Sequence, residues 1–410
     1  MKNKIFHISF MVLMTSTLSL NAQWKELTSG TTNTLHDVHF PSAETGYAVG
    51  INGTILKTTN AGTTWDSLAC PVTSAINAVH FINNDIGLAV GDKGKILRTT
   101  DGGANWNLNA QDSNFQFNDI YFASQTVGLI VGSEFADPVI LKSTDGGAAW
   151  NQVALSHGLS SDFQLNSIHF PTVDTGYAVF RSGVIKTTNA GDSWSLAIYY
   201  EGGKDSVFPF SILESCYFTD ANTGYIGGWY NAVLWKTSDG ADTWTDLGDS
   251  TGSFQINSVY FPGKDTGYAV GWYGEIYNTT NAGHTWIKQN FGNENFYAVY
   301  FTDLMTGFAV GQDGIIIKTT NGGGLSTQSL VAPGIEGIEI FPNPTGGTVY
   351  LKLNKPVEIL DISLLDLNGR LLKKFPKDMR LLDLIDIPRG TYLLKVTTAD
   401  GELIHKIVLI

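Results

Sequence analysis

Three sets of side chains in this sequence have the types and spacing that chemistry would need. The first set is aromatic. GGWYNA and VGWYGE place Trp229 and Tyr230, then Trp272 and Tyr273, at one recurring point of the chain, where sister segments carry small or charged residues. The long excursion SLAIYYEGGKDSVFPF adds Tyr199 and Tyr200 nearby. Exposed rings amid few charges make platforms for sugar rings or anchors for a protein partner. The competing reading is that the rings pack beneath the excursion. The second set is His39, His80 and His169, which share one recurring position with Tyr121, Tyr217, Tyr260 and Tyr300. A position that accepts either ring is a packing site with a polar tip. No zinc-type ligand spacing accompanies it. The third set is carboxylates in segments between strands: Glu134, Asp137, Glu201, Asp205 and Glu275. Glycosidic cleavage needs two carboxyl groups at a fixed separation, and isolated acids on an acidic surface are normally solvated. No serine sits in a nucleophile elbow. The expectation is therefore no catalytic residue, no metal and no cofactor, with Trp229, Tyr230, Trp272, Tyr273, Tyr199 and Tyr200 as candidate ligand-binding residues.

The elements that would position these residues repeat. KTTNAGTTW (Lys57 to Trp65) returns as RTTDGGANW, KSTDGGAAW, KTTNAGDSW, KTSDGADTW and NTTNAGHTW, and a seventh copy, KTTNGGGLS, lacks the tryptophan. Each interval also holds a segment ending in phenylalanine (Phe40, Phe81, Phe122, Phe170, Phe218, Phe261, Phe301) and a glycine opening an apolar run, as in TGYAVG. Four strand-like runs with turn signals between them make a four-stranded sheet per repeat. In each box one side chain, Asn60, Asp101, Asp145, Asn189, Asp239, Asn281 or Asn321, accepts bonds from the amides that follow it. A glycine then supplies a positive φ. The fifth copy has Ala241 at that glycine, which predicts a distorted turn. Trp24, in WKEL, precedes the kind of sequence that follows Trp65, so the N-terminal segment is expected to supply the seventh repeat's fourth strand and close the ring.

With 45 glycines, 12 prolines and 12% aromatic residues, the 410-residue chain suits many short strands with tight turns. Its formal net charge of −13 argues against nucleic-acid or anionic-lipid partners. MKNKIFHISFMVLMTSTLSLNAQ reads as a secretory signal cut near Ala22, and no later segment is apolar for long enough to act as a transmembrane anchor. Cys70 and Cys216 lie in non-adjacent repeats and are expected to stay unpaired, Cys216 as a small buried hydrophobe.

The boxes resemble the Asp-box, or bacterial neuraminidase (BNR) repeat, and the whole unit looks most like the repeat of photosystem II assembly and stability factor propellers. The resemblance covers about Trp24 to Gly323 and implies a seven-bladed β-propeller. A sialidase would hold its substrate's carboxylate with three arginines. This segment has only Arg98 and Arg181, and Arg98 fills a recurring Lys/Arg position. Beyond Gly323, PNP (Pro342, Asn343, Pro344), DLNGR with Gly369, RGTYLLKV with Gly390, and a last strand ending IVLI resemble the type A C-terminal sorting domain of the Bacteroidetes type IX secretion system. That resemblance implies export across the outer membrane to the cell surface or the medium, with the secretion machinery as partner.

The combined reading is all-β, with residues 1–22 a signal peptide, 23–324 a seven-bladed β-propeller closed by its N-terminal strand, 325–337 a linker, and 338–410 a sorting domain built as a small Ig-like β-sandwich. The function expected is that of a monomeric, noncatalytic binding module for a glycan or protein ligand. The alternative is a secreted glycoside hydrolase of the Asp-box propeller type, other than a sialidase.

Overall fold

The computed structural model describes residues 24–135, 137–155, 164–181, 183–199, 212–229, 234–247, 255–323, 330–331, 338–341, 345–353, 356–366, 370–398 and 401–409. The expected signal peptide, Pro342, Asn343, Pro344 and Gly369 lie outside them. Contacts divide the chain into two compact units after Gly324.

Among the described residues the first unit contains seven four-stranded antiparallel sheets. In the first, Leu35–His39, Gly46–Gly50, Thr54–Thr58 and Asp66–Ser67 lie side by side in chain order. The second strand, GYAVG, is buried along its whole length, because neighbouring sheets cover both its faces. A Cβ on Gly46 would sit 2.3 Å from the Phe40 ring, so the glycine makes room for the phenylalanine that ends the inner strand. Phe40 in turn meets Trp65 edge to face at 5.9 Å. The same pair recurs in each described sheet, from Phe81–Trp106 at 5.8 Å to Phe218–Trp244 at 6.2 Å.

The seventh sheet takes its tryptophan from the other end of the chain. Lys25–Leu27 pairs antiparallel with the strand Ile316–Thr319, with Lys25 opposite Lys318. Trp24, 2% exposed, packs on Phe301 at 5.9 Å and 87°. The last copy of the box therefore needs no tryptophan of its own. The first and last sheets also touch directly: the Tyr300 hydroxyl donates to the Phe40 carbonyl (3.0 Å), and the Lys318 ammonium donates to the Ala61 carbonyl (2.6 Å). The sheets thus pack in a closed cycle.

Each box is a small hydrogen-bonded turn. Asn60 Oδ1 accepts the Thr58 hydroxyl (3.0 Å) and the Thr64 amide (2.9 Å), while the Gly62 amide donates to Thr58 Oγ1 (2.9 Å). Where the residue is aspartate, these donors favour the charged form: Asp101 and Asp239 are held down to about 2, chiefly by Asn105 and Thr243. The fifth turn is not distorted. Ala241 adopts φ +77°, the value of Gly62, and its amide donates to Thr237 Oγ1 at 3.1 Å. The turn's hydrogen bonds offset the cost of a left-handed alanine, about 1 kcal/mol. Boxes also lock sheet to sheet. Lys57 reaches the Gly102 carbonyl (2.6 Å), Lys186 that of Gly240 (3.0 Å) and Lys236 that of Ala282 (2.7 Å), and Arg98 Nε points at the Gly146 carbonyl (3.4 Å).

The second unit has a five-stranded sheet, in which Gly390–Thr398 pairs with both Gly401–Leu409 and Ile359–Leu365, and a three-stranded sheet of Ile338–Phe341, Thr348–Leu353 and Leu381–Asp383. Both contribute to one apolar core that includes Leu351, Ile362, Leu382, Leu394 and Val396. Gly390 opens the strand pair with the chain's last strand. Leu330–Val331 differs from the expected linker: it pairs with Leu403 and Ile404 as a short added strand. The edge of the last strand would otherwise expose unpaired backbone groups.

Candidate functional site

Around the closed cycle, the inner strands expose three belts of polar side chains, because a bulge near the start of each strand turns two successive residues toward the axis. In the first belt Asn77, Asn118, Asn166 and Asn257 each donate Nδ2–H to a backbone carbonyl of the next sheet: Phe117 (2.8 Å), Leu165 (2.8 Å), Leu213 (2.7 Å) and Phe296 (2.7 Å). The second belt accepts. Asp37 takes the amides of Val38 and Val79 (both 2.8 Å), and Asp119 those of Ile120 (2.7 Å) and Ile168 (2.9 Å). Burial pushes these carboxyls up, to about 6 for Asp37 and about 7 for Asp119.

The third belt is a cycle of seven rings: His39, His80, Tyr121, His169, Tyr217, Tyr260 and Tyr300. Neighbouring centroids lie between 4.2 and 5.3 Å apart. Their polar tips serve the next sheet. His39 and His169 accept the amides of Phe81 (3.4 Å) and Phe218 (3.3 Å) on Nδ1, and Tyr121 and Tyr260 donate to the carbonyls of Phe170 (3.2 Å) and Phe301 (3.1 Å). Burial lowers His80 to about 4 and His169 to about 3, so these imidazoles are neutral at neutral pH. The named groups of these belts are thus spent largely on joining neighbouring sheets.

The loop face opposite the boxes is different. Trp229 ends the second strand of the fifth sheet, and Trp272 follows that of the sixth; their rings meet edge to face at 5.3 Å. Trp229 Nε1–H donates to Asn257 Oδ1 (3.1 Å), which ties the ring to the first belt. Both tryptophans are half-buried. The contact covers a face of one indole and an edge of the other. The Trp272 indole N–H is buried without a hydrogen-bond partner among the described residues. Tyr273 stands out beside them, 64% exposed, 6.1 Å from the Trp272 ring. Tyr230, Tyr200 and the Tyr199 side chain lie outside the described residues.

Tyr273 is held in the left-handed region, φ +56°. Its amide donates to Asn295 Oδ1 (3.0 Å) and its carbonyl accepts Asn290 Nδ2 (2.8 Å). The same loop position holds Asn52 (+57°), Lys93 (+59°) and Asp313 (+54°) in sister sheets, residue types that mostly tolerate this conformation. An aromatic residue there is strained, and strain of this kind collects at functional sites. One further aromatic shares it. Phe135, between the second and third strands of the third sheet, has φ +49° and is 77% exposed. Sequence reasoning passed over Phe135; its signal was an aromatic at a turn position, in SEFADP.

The candidate carboxylates divide. Glu134 and Asp137 face each other across the hairpin that carries Phe135. Glu275 is engaged, its Oε1 2.5 Å from Lys288 Nζ and its Oε2 accepting the Tyr277 hydroxyl (2.7 Å). Glu201 and Asp205 lie outside the described residues. Cys70 and Cys216 are free thiols, with Cys216 buried and its thiol pushed up by that burial.

Comparison with known proteins agrees with this architecture. Residues 16–109 and 107–198 match the family model for the photosynthesis system II assembly factor YCF48, and residues 339–410 match that for the secretion system C-terminal sorting domain. No curated protein matches the sequence. Among solved structures, YCF48 bound to D1 peptide is similar at 20% identity and TM-score 0.59, covering 73% of this chain and 97% of its own. YCF48 from Cyanidioschyzon merolae has the same identity and TM-score, with 72% and 98% covered. An ancestral GH74 enzyme is similar at 14% identity and TM-score 0.60, over 93% of this chain and 63% of its own. At these identities the likeness is one of fold.

Proposed function

We propose that this chain, a β-propeller of YCF48-like repeats ending in a type IX secretion sorting domain, is a noncatalytic binding module that holds a glycan or protein ligand on its loop face. The sorting domain marks it for export across the outer membrane, to the cell surface or the extracellular space. In this reading the seven sheets are the blades of a seven-bladed propeller in residues 23–324, and residues 338–410 form an Ig-like sandwich recognised by the secretion machinery. The mature protein is a monomer.

The observation that carries the reading is Tyr273: an exposed aromatic held at a strained backbone angle by two asparagines, against the half-buried Trp272 ring. Sister sheets fill that position with asparagine, lysine or aspartate, none of them aromatic. The loop face offers an exposed ring for stacking. The asparagines and aspartates of the inner belts, by contrast, are already engaged with neighbouring sheets.

A second reading, a glycoside hydrolase, is favoured by the fold shared with a GH74 enzyme and by the facing acids Glu134 and Asp137. The two separate cleanly. The wild-type chain and Tyr273→Ala are tested for binding on a glycan array and for reducing-end release from the same polysaccharides. Binding that falls about tenfold in the variant, with no sugar released by either protein, supports the module. Release by the wild type, lost in Glu134→Gln, establishes the enzyme instead.

A further inference from the structure

Beside Tyr273 the loop face continues into a depression of about 800 Å³ at the seam where the ring closes. One wall is the turn after the closing strand, residues 28–33. The other is the hairpin at Gln312–Gly314 of the last sheet, with Glu294 from the connection between the sixth and seventh sheets at the near end. That turn is ordered by its own side chains. Ser29 Oγ donates to the Thr31 carbonyl (3.1 Å), Asn33 N–H donates to Thr31 Oγ1 (3.0 Å), and Asn33 Nδ2 donates to Thr54 Oγ1 (2.8 Å). The walls also fit closely, since a Cβ on Gly314 would lie 2.2 Å from the Thr31 carbonyl oxygen. The depression is therefore a formed feature of the closed ring.

The shelf and the depression are joined through backbone. Gly274, next to Tyr273, donates its amide to the Glu294 carbonyl (2.8 Å), and Asn295, which holds the Tyr273 amide, accepts the Gln312 amide on its own carbonyl (2.8 Å). Going from Trp229 through Trp272 and Tyr273 to Glu294 and Asp313, one crosses three consecutive sheets without leaving the loop face.

We infer that this path is a single groove for an extended, uncharged polysaccharide strand, with Tyr273 stacking one sugar and the seam depression hydrogen-bonding sugars further along. The inference rests on the binding role proposed above and adds the ligand class and a second subsite. The chemistry of the lining argues for it. Carboxylates at Glu26, Glu294 and Asp313 and hydroxyls at Thr28 and Thr32 line it, and no lysine or arginine does. Carboxylates accept from vicinal sugar hydroxyls and repel uronate or sulfated chains. A peptide anchor would need a desolvated apolar pocket, and only Leu27 and Ile315 supply apolar lining. An occupant would also touch both the start of the chain and its last sheet, so binding stabilises the closed ring.

The test titrates the full chain with cello- and manno-oligosaccharides of increasing length, with polygalacturonate and oligolysine as charged controls. One neutral series should gain about tenfold in affinity from disaccharide to hexasaccharide and raise the melting temperature. Glu294→Gln and Asp313→Asn should each remove about fivefold of the hexasaccharide affinity and leave disaccharide binding intact. Both substitutions keep the shape of the turn, and their unliganded melting temperatures should match the wild type. Length-independent binding that only Tyr273→Ala abolishes overturns the groove while keeping the binding module. Salt-sensitive binding of oligolysine in preference to every sugar overturns it in favour of a basic peptide. No binding to any neutral sugar overturns the ligand class itself.

Discussion

At the scale of single residues, the first inner belt contains an exception with a measurable consequence. Glu214 occupies the place where Asn77, Asn118, Asn166 and Asn257 donate to the next sheet, and the repeat register sets it against the Ile256 carbonyl. An ionised carboxylate offers an acceptor where a donor is wanted, and burial raises Glu214 to about 7. A raised carboxyl contributes stability that is complete below its ordinary value near 4.5 and is lost as pH rises through about 7. Glu214→Gln restores an amide donor. It should stabilise the fold at pH 8 by roughly 2 kcal/mol and leave it unchanged at pH 5, read as the difference in urea unfolding between variant and wild type. Taking that difference cancels the contributions of Asp37, Asp119 and the histidines. An equal effect at both pH values would show that Glu214 is not the titrating group. His80 and His169 act with the opposite sign. Their lowered values mean that stability present above about 6.5 is lost as pH falls toward 4 and 3. The shared His/Tyr position was legible in the sequence, because seven aligned copies expose it. Glu214 and Phe135 were not singled out there, since each is an ordinary residue until the bulge or the turn angle gives it a setting.

At the scale of elements, the repeated box, the phenylalanine and the glycine form one packing unit, and the closing strand tests it. Trp24 is buried at 2% exposure against Phe301, as Trp65 is against Phe40. Trp24→Ala should therefore cost about 3–5 kcal/mol, the usual loss for truncating a buried tryptophan, although it lies at the very start of the described chain. Equilibrium denaturation would measure the loss. A cost under 1 kcal/mol would mean that the terminal strand frays and does not close the ring. Trp150, which is only half-buried, should cost less. The fifth box shows where composition misled: Ala241 was expected to distort its turn, yet the hydrogen bonds to Thr237 and Asp239 impose the left-handed angle on alanine as well. Local propensity of about 1 kcal/mol yields to several simultaneous hydrogen bonds.

At the scale of the whole molecule, the chain divides into two compact units. The C-terminal unit has its own two sheets and its own core. A reporter fused ahead of Gly334 to Ile410 should therefore appear at the surface of a host with type IX machinery, detected by protease shaving or by antibody on intact cells. A reporter retained in the periplasm would count against that role. No disulfide joins Cys70 to Cys216, so reductant should leave the melting temperature unchanged. The sequence by itself determined the period, the all-β class and the export tail, because those depend on local patterning and on motifs that repeat or stand in a set order. It also pointed to the N-terminal segment as the missing strand, since Trp24 is followed by the kind of sequence that follows Trp65 and the seventh box lacks a tryptophan. Only the tertiary structure decided which aromatic rings reach solvent, which polar groups are already partnered across sheets, and that a depression opens at the seam. Those properties belong to surfaces meeting from residues up to some 260 positions apart, such as Tyr300 and Phe40, and no local pattern encodes how much of each ring its neighbours cover.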